Sequence, residues 1–136
     1  MTRAWSGATI ACMVLVAVMG CRAGGQVLEI KDAPVLTASG KVATIDQVQK
    51  AIIDAGIKQQ WIMTVVKPGE ILGEFNIQSH TIHVTIPYTS NKYSILYKDS
   101  SNLRYDPVKR TIHVNYAIWI QRLDTEIRAR LSTAGM

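Results

Sequence analysis

Asp99, Ser100, Ser101, Asp106 and His113 lie close together in the chain. These are the residue types from which a hydrolase assembles a nucleophile, a base and an orienting carboxylate. No Gly-x-Ser-x-Gly elbow accompanies them, and serines beside Asp and Asn are what turns require. No catalytic residue is therefore assigned. The histidines are His80, His83 and His113. On a strand, positions 80 and 83 project to opposite faces and cannot chelate one ion without a bulge. His83 is expected instead to pair with Glu74 across an exposed sheet face. Glu70 and Glu74 share one face of a strand at about 13 Å, wider than the roughly 5–9.5 Å of glycosidase pairs. No glycine loop that could cradle phosphate is present, so neither metal nor cofactor is expected. What remains is a polar block, Asp99, Ser100, Asn102, Arg104 and Tyr105, closing on His113, Asn115 and Tyr116. Loops carry function more often than cores, which makes this block the candidate binding site.

The elements that must position it follow from periodicity. Thr44 with Gln47 forms a capping-box pattern, and Ile45, Val48, Ile52 and Ala55 recur at helical spacing up to a left-handed exit at Gly56. From Trp61 the period becomes two. A strand at 61–66 ends at Pro68-Gly69; a Gln78-Ser79 turn sets Phe75 opposite Ile82, Glu74 opposite His83 and Ile71 opposite Ile86. A loop at Thr89–Lys92 sets Tyr88 opposite Tyr93, which gives Tyr93, Ile95 and Tyr97 the core face. Asp99–Pro107 reads as loop, and a second helix starts near His113–Asn115. Its apolar stripe is Tyr116, Trp119, Ile120, Leu123, Ile127 and Leu131. The predicted fold is α+β, in the order α-β-β-β-β-α: a four-stranded antiparallel meander with both helices on one face. Residues 26–37 form either an additional edge strand or an extended linker. The open face, with Leu72, His83, Thr85 and Leu96, is a candidate dimer contact.

The N-terminus carries Arg3, an apolar run from Ala8 to Met19, then Gly20 and Cys21. This is a signal peptide's layout, with an apolar core shorter than the roughly 20 residues that span a bilayer. Val18-Met19-Gly20-Cys21 resembles the lipobox of bacterial lipoproteins, which implies cleavage before Cys21 and its acylation. The organisation is then a signal peptide at 1–20, a lipidated Cys21 and tether at 21–43, and a domain at 44–136. Cys12 would leave with the signal, so the domain holds no disulfide. Removing Arg3 lowers the net charge from +5 to +4. A mild positive charge suits anionic lipid or cell-wall polymer, and nucleic acid is not expected beyond a membrane. Arg22, where the enteric sorting pattern uses aspartate to retain lipoproteins in the inner membrane, points to the outer membrane facing the periplasm.

Within 44–131, Ala51-Ile52, Ala55-Gly56, Trp61, Pro68-Gly69, His80, Val84–Ile86 and Tyr88 form a pattern. Tyr93–Ile95, Tyr97–Ser100, Asn102–Tyr105, Ile112–Tyr116 and Trp119-Ile120 continue it. The pattern resembles an uncharacterised family of small bacterial envelope lipoproteins, from which Ala117 departs. That resemblance implies envelope residence and an α+β fold, with no activity to transfer. The expected function is a non-enzymatic module at the membrane surface, bound to lipid through Cys21 and to an envelope protein or cell-wall partner through Lys98–Tyr116 or the open face. The alternatives are a periplasmic hydrolase using His113 with Ser100 or Asp106, and an inhibitor of a secreted hydrolase presenting the same loop.

Overall fold

The computed structural model describes residues 24–136. The signal segment 1–20 and Cys21 lie outside the described residues. Helix α1 spans Ile45–Lys58, and its N-cap Thr44 makes the reciprocal bonds its sequence implies: Gln47 N–H donates to Thr44 Oγ1 at 3.1 Å, and Thr44 N–H donates to Gln47 Oε1 at 2.9 Å. The helix does not stop at Gly56 as expected. It continues to Lys58, and the left-handed residue is Gln60, at φ 66°. Gly56 is instead buried inside the last turns, where its missing side chain admits a neighbour.

Strands β3 (Ile62–Lys67), β4 (Glu70–Ile77), β5 (His80–Pro87) and β6 (Lys92–Ser101) form the antiparallel meander. The β4–β5 register is the expected one, with Ile71 opposite Ile86, Glu74 opposite His83 and Phe75 opposite Ile82. Every pair thereby agrees about which face is inside. Tyr88 bridges Tyr93 as read from the loop length. The sheet has five strands rather than four, because β2 (Ile30–Pro34) pairs with β6 as an edge strand, giving the order β2-β6-β5-β4-β3. Upstream, β1 (Gly25–Gln26) pairs with β7 (Thr111–Ile112) in a separate ribbon. The stretch expected to be a tether thus packs on the domain from Gly25 onward.

Asp99 and Ser100 are not in a loop as expected; they are rungs of β6. Val84 faces Tyr97 but His83 faces Asp99, so one extra residue, Lys98, bulges out of β6. Without that bulge, strict alternation would turn the Asp99 carboxylate toward the core. With it, Asp99 reaches the outer face and Ser100 the inner one.

Helix α2 (Asn115–Ser132) buries Tyr116, Ile120, Leu123, Ile127 and Leu131. Each of its four aliphatic side chains contributes about 1.5–3 kcal/mol of burial. The two helices pack on each other and share one core with Ile71, Ile82, Val84, Ile86 and Ile95 of the sheet. Trp119, placed with the apolar stripe, is only half-buried.

Candidate binding site

The polar block does not converge on one point; it divides into three structural groups. Asp99 turns to the outer face, where its Oδ1 meets His83 Nδ1 at 2.5 Å, while His83 Nε2 lies 3.2 Å from Glu74 Oε2. The Glu74 partner was expected; Asp99 joins only because of the bulge. The hydrogen bond to Asp99, then that to Glu74, raises the His83 pKa above its ordinary value. Bonds from Asn76 and then His83 hold Glu74 below the usual carboxylate range. The trio is turned on itself, and among the described residues no group of three His, Cys, Asp or Glu is placed to hold a metal ion.

The second group centres on Tyr97. Its hydroxyl lies 2.9 Å from Ser100 Oγ, and its ring meets Tyr105 at 4.4 Å and Tyr116 edge-on at 5.8 Å. Glu29, before β2, pins this group: it accepts from the Tyr97 N–H at 3.0 Å and from Arg110 Nη2 at 2.9 Å. Tyr116 is fully buried, and that burial drives its hydroxyl pKa up. Tyr116 belongs to the core, and Tyr97 and Tyr105 pack against it partly buried.

The third group closes turns. Asn102, at φ 60°, donates from Nδ2 to the Ser79 carbonyl at 2.8 Å, and Arg104, at φ 52°, is exposed. His113 stacks on His80 at 6.3 Å and accepts at Nδ1 from the Asn115 N–H at 3.2 Å. Asp106 Oδ1 accepts from the N–H groups of Val108 at 2.9 Å and Lys109 at 3.0 Å, with the bond from Lys109 foremost in lowering its pKa. The serine, histidine and aspartates of the alternative hydrolase reading each serve a different structural partner.

A recess that could take a ligand lies elsewhere, at the end of α1. A cavity of about 290 Å³ is walled by Trp61, Phe75, Ile77 and Trp119 and rimmed by Lys58, Gln59, Gln60 and Arg122. Gln60, in its left-handed conformation, reverses the chain from α1 into β3. The Trp61 N–H then donates to the Gly56 carbonyl at 2.8 Å, which sets the indole against the sheet. Gly73 makes room for that ring: a Cβ there would lie 3.3 Å from Trp61 Cε3 and 2.9 Å from Val84 Cγ2. Trp61 stacks on Phe75 at 5.1 Å, and Phe75 meets Trp119 at 5.5 Å. Arg122 stands one turn beyond Trp119 on α2, where residues three apart share a face. Gln59 and Arg122 also border a shallower depression with Ile118, Gln121, Thr125 and Glu126, whose carboxylate accepts from Arg130 Nε at 3.0 Å, so the recess continues along α2.

Among the described residues neither Lys58 nor Arg122 has a salt-bridge partner. The recess is hidden in the sequence because Trp61 lies in a segment apolar on both faces and Trp119 in a helical core stripe. The available signal was Gln59-Gln60 directly before one tryptophan and Arg122 three residues after the other. Also among the described residues, no helix is long and apolar enough to cross a membrane. Comparison with protein-family models finds no match to this chain, and comparisons with curated proteins and with solved structures find none either.

Proposed function

We propose that the chain is a non-enzymatic binding protein of the bacterial envelope, held to lipid through Cys21, whose aromatic cavity takes a carboxylate-bearing sugar of the cell wall. The observation that carries this reading is the pairing of three aromatic side chains with two cations that have no acidic partner among the described residues. Aromatic faces suit the apolar C–H face of a sugar ring. The Gln59 and Gln60 amides offer both donors and acceptors to hydroxyl and N-acetyl groups. A guanidinium reads a carboxylate through two parallel N–H donors, and a lysine adds a point charge. The resemblance to envelope lipoproteins supports the location, and the cavity supports the cell-wall partner over the Lys98–Tyr116 block.

The chain has three tryptophans, Trp5, Trp61 and Trp119. In the lipoprotein cleaved before Cys21, Trp5 is gone and every remaining indole lines the cavity. Titration with N-acetylmuramic acid should change tryptophan emission saturably, and Arg122→Gln should suppress the change. Emission that does not respond in the unsubstituted cavity contradicts the reading.

A further inference from the structure

The chain enters the domain beside a basic turn. Gly25 pairs with Ile112 and Gln26 with Thr111, and the Val27 N–H donates to the Arg110 carbonyl at 2.9 Å. Cys21 precedes Gly25 by four residues. Fully extended, that length spans at most about 14 Å. Whatever holds Cys21 therefore holds β1, and the turn hydrogen-bonded to β1, close by. The turn is a hairpin end: the Asp106 N–H donates to the Thr111 carbonyl at 2.8 Å, and the Thr111 N–H returns to the Asp106 carbonyl at 3.3 Å. Asp106, the one acid between Arg104 and Arg110, is occupied by the N–H groups of Val108 and Lys109.

At the tip, Val108 is 90 % exposed, more open than any other large apolar side chain among the described residues. Val114, against whose Cα Gly25 rests, is 52 % exposed. Arg110 pairs with Glu29, whereas the exposed Arg104 and Lys109 have no salt-bridge partner among the described residues. Arg104 and Arg110 stand at φ 52° and 55°, where glycine and asparagine are the usual occupants. Strained backbone of this kind gathers where a surface meets a ligand.

We propose that this turn rests on the bilayer that anchors Cys21, with Val108 among the headgroups and Arg104 and Lys109 on anionic phospholipid. This rests on the reading of Cys21 as acylated, and adds to it a docking surface and a lipid charge. The bilayer is the occupant because an acylated Cys21 keeps the turn within the linker's short reach of it. An apolar tip flanked by free cations is also what an anionic interface attracts.

Cleavage before Cys21 removes Cys12, and acylation occupies Cys21, so Val108→Cys supplies the one free thiol for a fluorophore. The acylated protein is reconstituted in phosphatidylcholine vesicles with or without phosphatidylglycerol, with spin-labelled lipid as quencher. Val42→Cys is the distal control: Val42 is 84 % exposed beside Asn91, at the end of β6 away from the turn. Flotation of the same vesicles reads the anchor separately. The label at 108 should be quenched when phosphatidylglycerol is present and much less without it, and the label at 42 in neither case. Arg104→Gln/Lys109→Gln should shift docking about tenfold or more toward the undocked state while flotation stays unchanged. Protein that floats with the 108 label unquenched overturns the proposal alone. So does quenching that is equal at 42, indifferent to phosphatidylglycerol or untouched by the double variant. Protein that does not float removes the anchor and the proposal together.

Discussion

Gly56 of α1 sits directly against Met63 of β3, so close that a Cβ at position 56 would overlap the methionine along its length, with Sδ at 2.8 Å. An alanine inside a helix ordinarily gains about 1 kcal/mol over glycine. Here the overlap reaches Met63 Cγ as well as its flexible end, and overpacking costs about 1–3 kcal/mol. The steric term should win. Gly56→Ala is predicted to destabilise the domain by about 1–2 kcal/mol, read as a lowered denaturation midpoint. Met63→Ala in the same chain should recover part of the loss, a coupling that a double-mutant cycle measures.

A half-buried bond ties the sheet to α2. Tyr93, 1 % exposed, donates from its hydroxyl to Asp124 Oδ1 at 2.5 Å, and Arg128 Nε donates to Asp124 Oδ2 at 2.9 Å. Burial first, then the bond to Asp124, pushes the Tyr93 hydroxyl pKa well up, so it stays a donor throughout the working range. Tyr93→Phe removes a hydrogen bond to a charged acceptor and should cost about 1.5–3 kcal/mol. Urea denaturation should show a lower midpoint with an unchanged slope; an unchanged midpoint would rule out the tie.

The His83 cluster gives the outer face a pH dependence of defined sign. A raised histidine pKa favours the folded state below the ordinary histidine value, and the contribution is lost as pH rises through the folded value. A lowered Glu74 pKa contributes above the ordinary carboxylate value and is lost on acidification through the folded one. Stability from this cluster should therefore peak between about pH 4.5 and 6.5, the ordinary values for glutamate and histidine. Asp99→Asn should return the His83 titration, followed by NMR, toward the ordinary value. A midpoint indifferent to that substitution would reject the pairing.

Acylation of Cys21 should be visible as incorporation of radiolabelled palmitate into the protein. Cys21→Ser should abolish incorporation and move the protein from the membrane fraction to the soluble one. Unlabelled wild-type protein, or a variant that fractionates unchanged, would remove the lipid anchor from the account.

Local pattern made most of the fold legible. Thr44 and Gln47 announce the start of α1 because each needs only a residue three positions away. The Gln78-Ser79 turn determines β4–β5 because one shift in register would invert every side chain. What stayed hidden depends on residues far apart in sequence. The bulge at Lys98 leaves no mark on the alternation of β6, yet it decides that Asp99 joins His83. The β1–β7 ribbon and Glu29's hold on Tyr97 link the two ends of the domain, which periodicity cannot see. The cavity fails for the same reason: its aromatic walls come from the end of α1, β4 and α2, and each tryptophan alone reads as core.

Sugar binding is tested most directly by calorimetry that compares two ligands differing in one lactyl ether, which ends in a carboxylate. N-acetylmuramic acid carries a lactyl carboxylate that N-acetylglucosamine lacks. The wild-type chain should bind the acid about tenfold or more tightly, the worth of one charge-assisted hydrogen bond. Lys58→Gln/Arg122→Gln should erase that preference while leaving the fold's thermal midpoint in place. Equal affinity for the two sugars in the wild type, or no heat with either, would contradict the account.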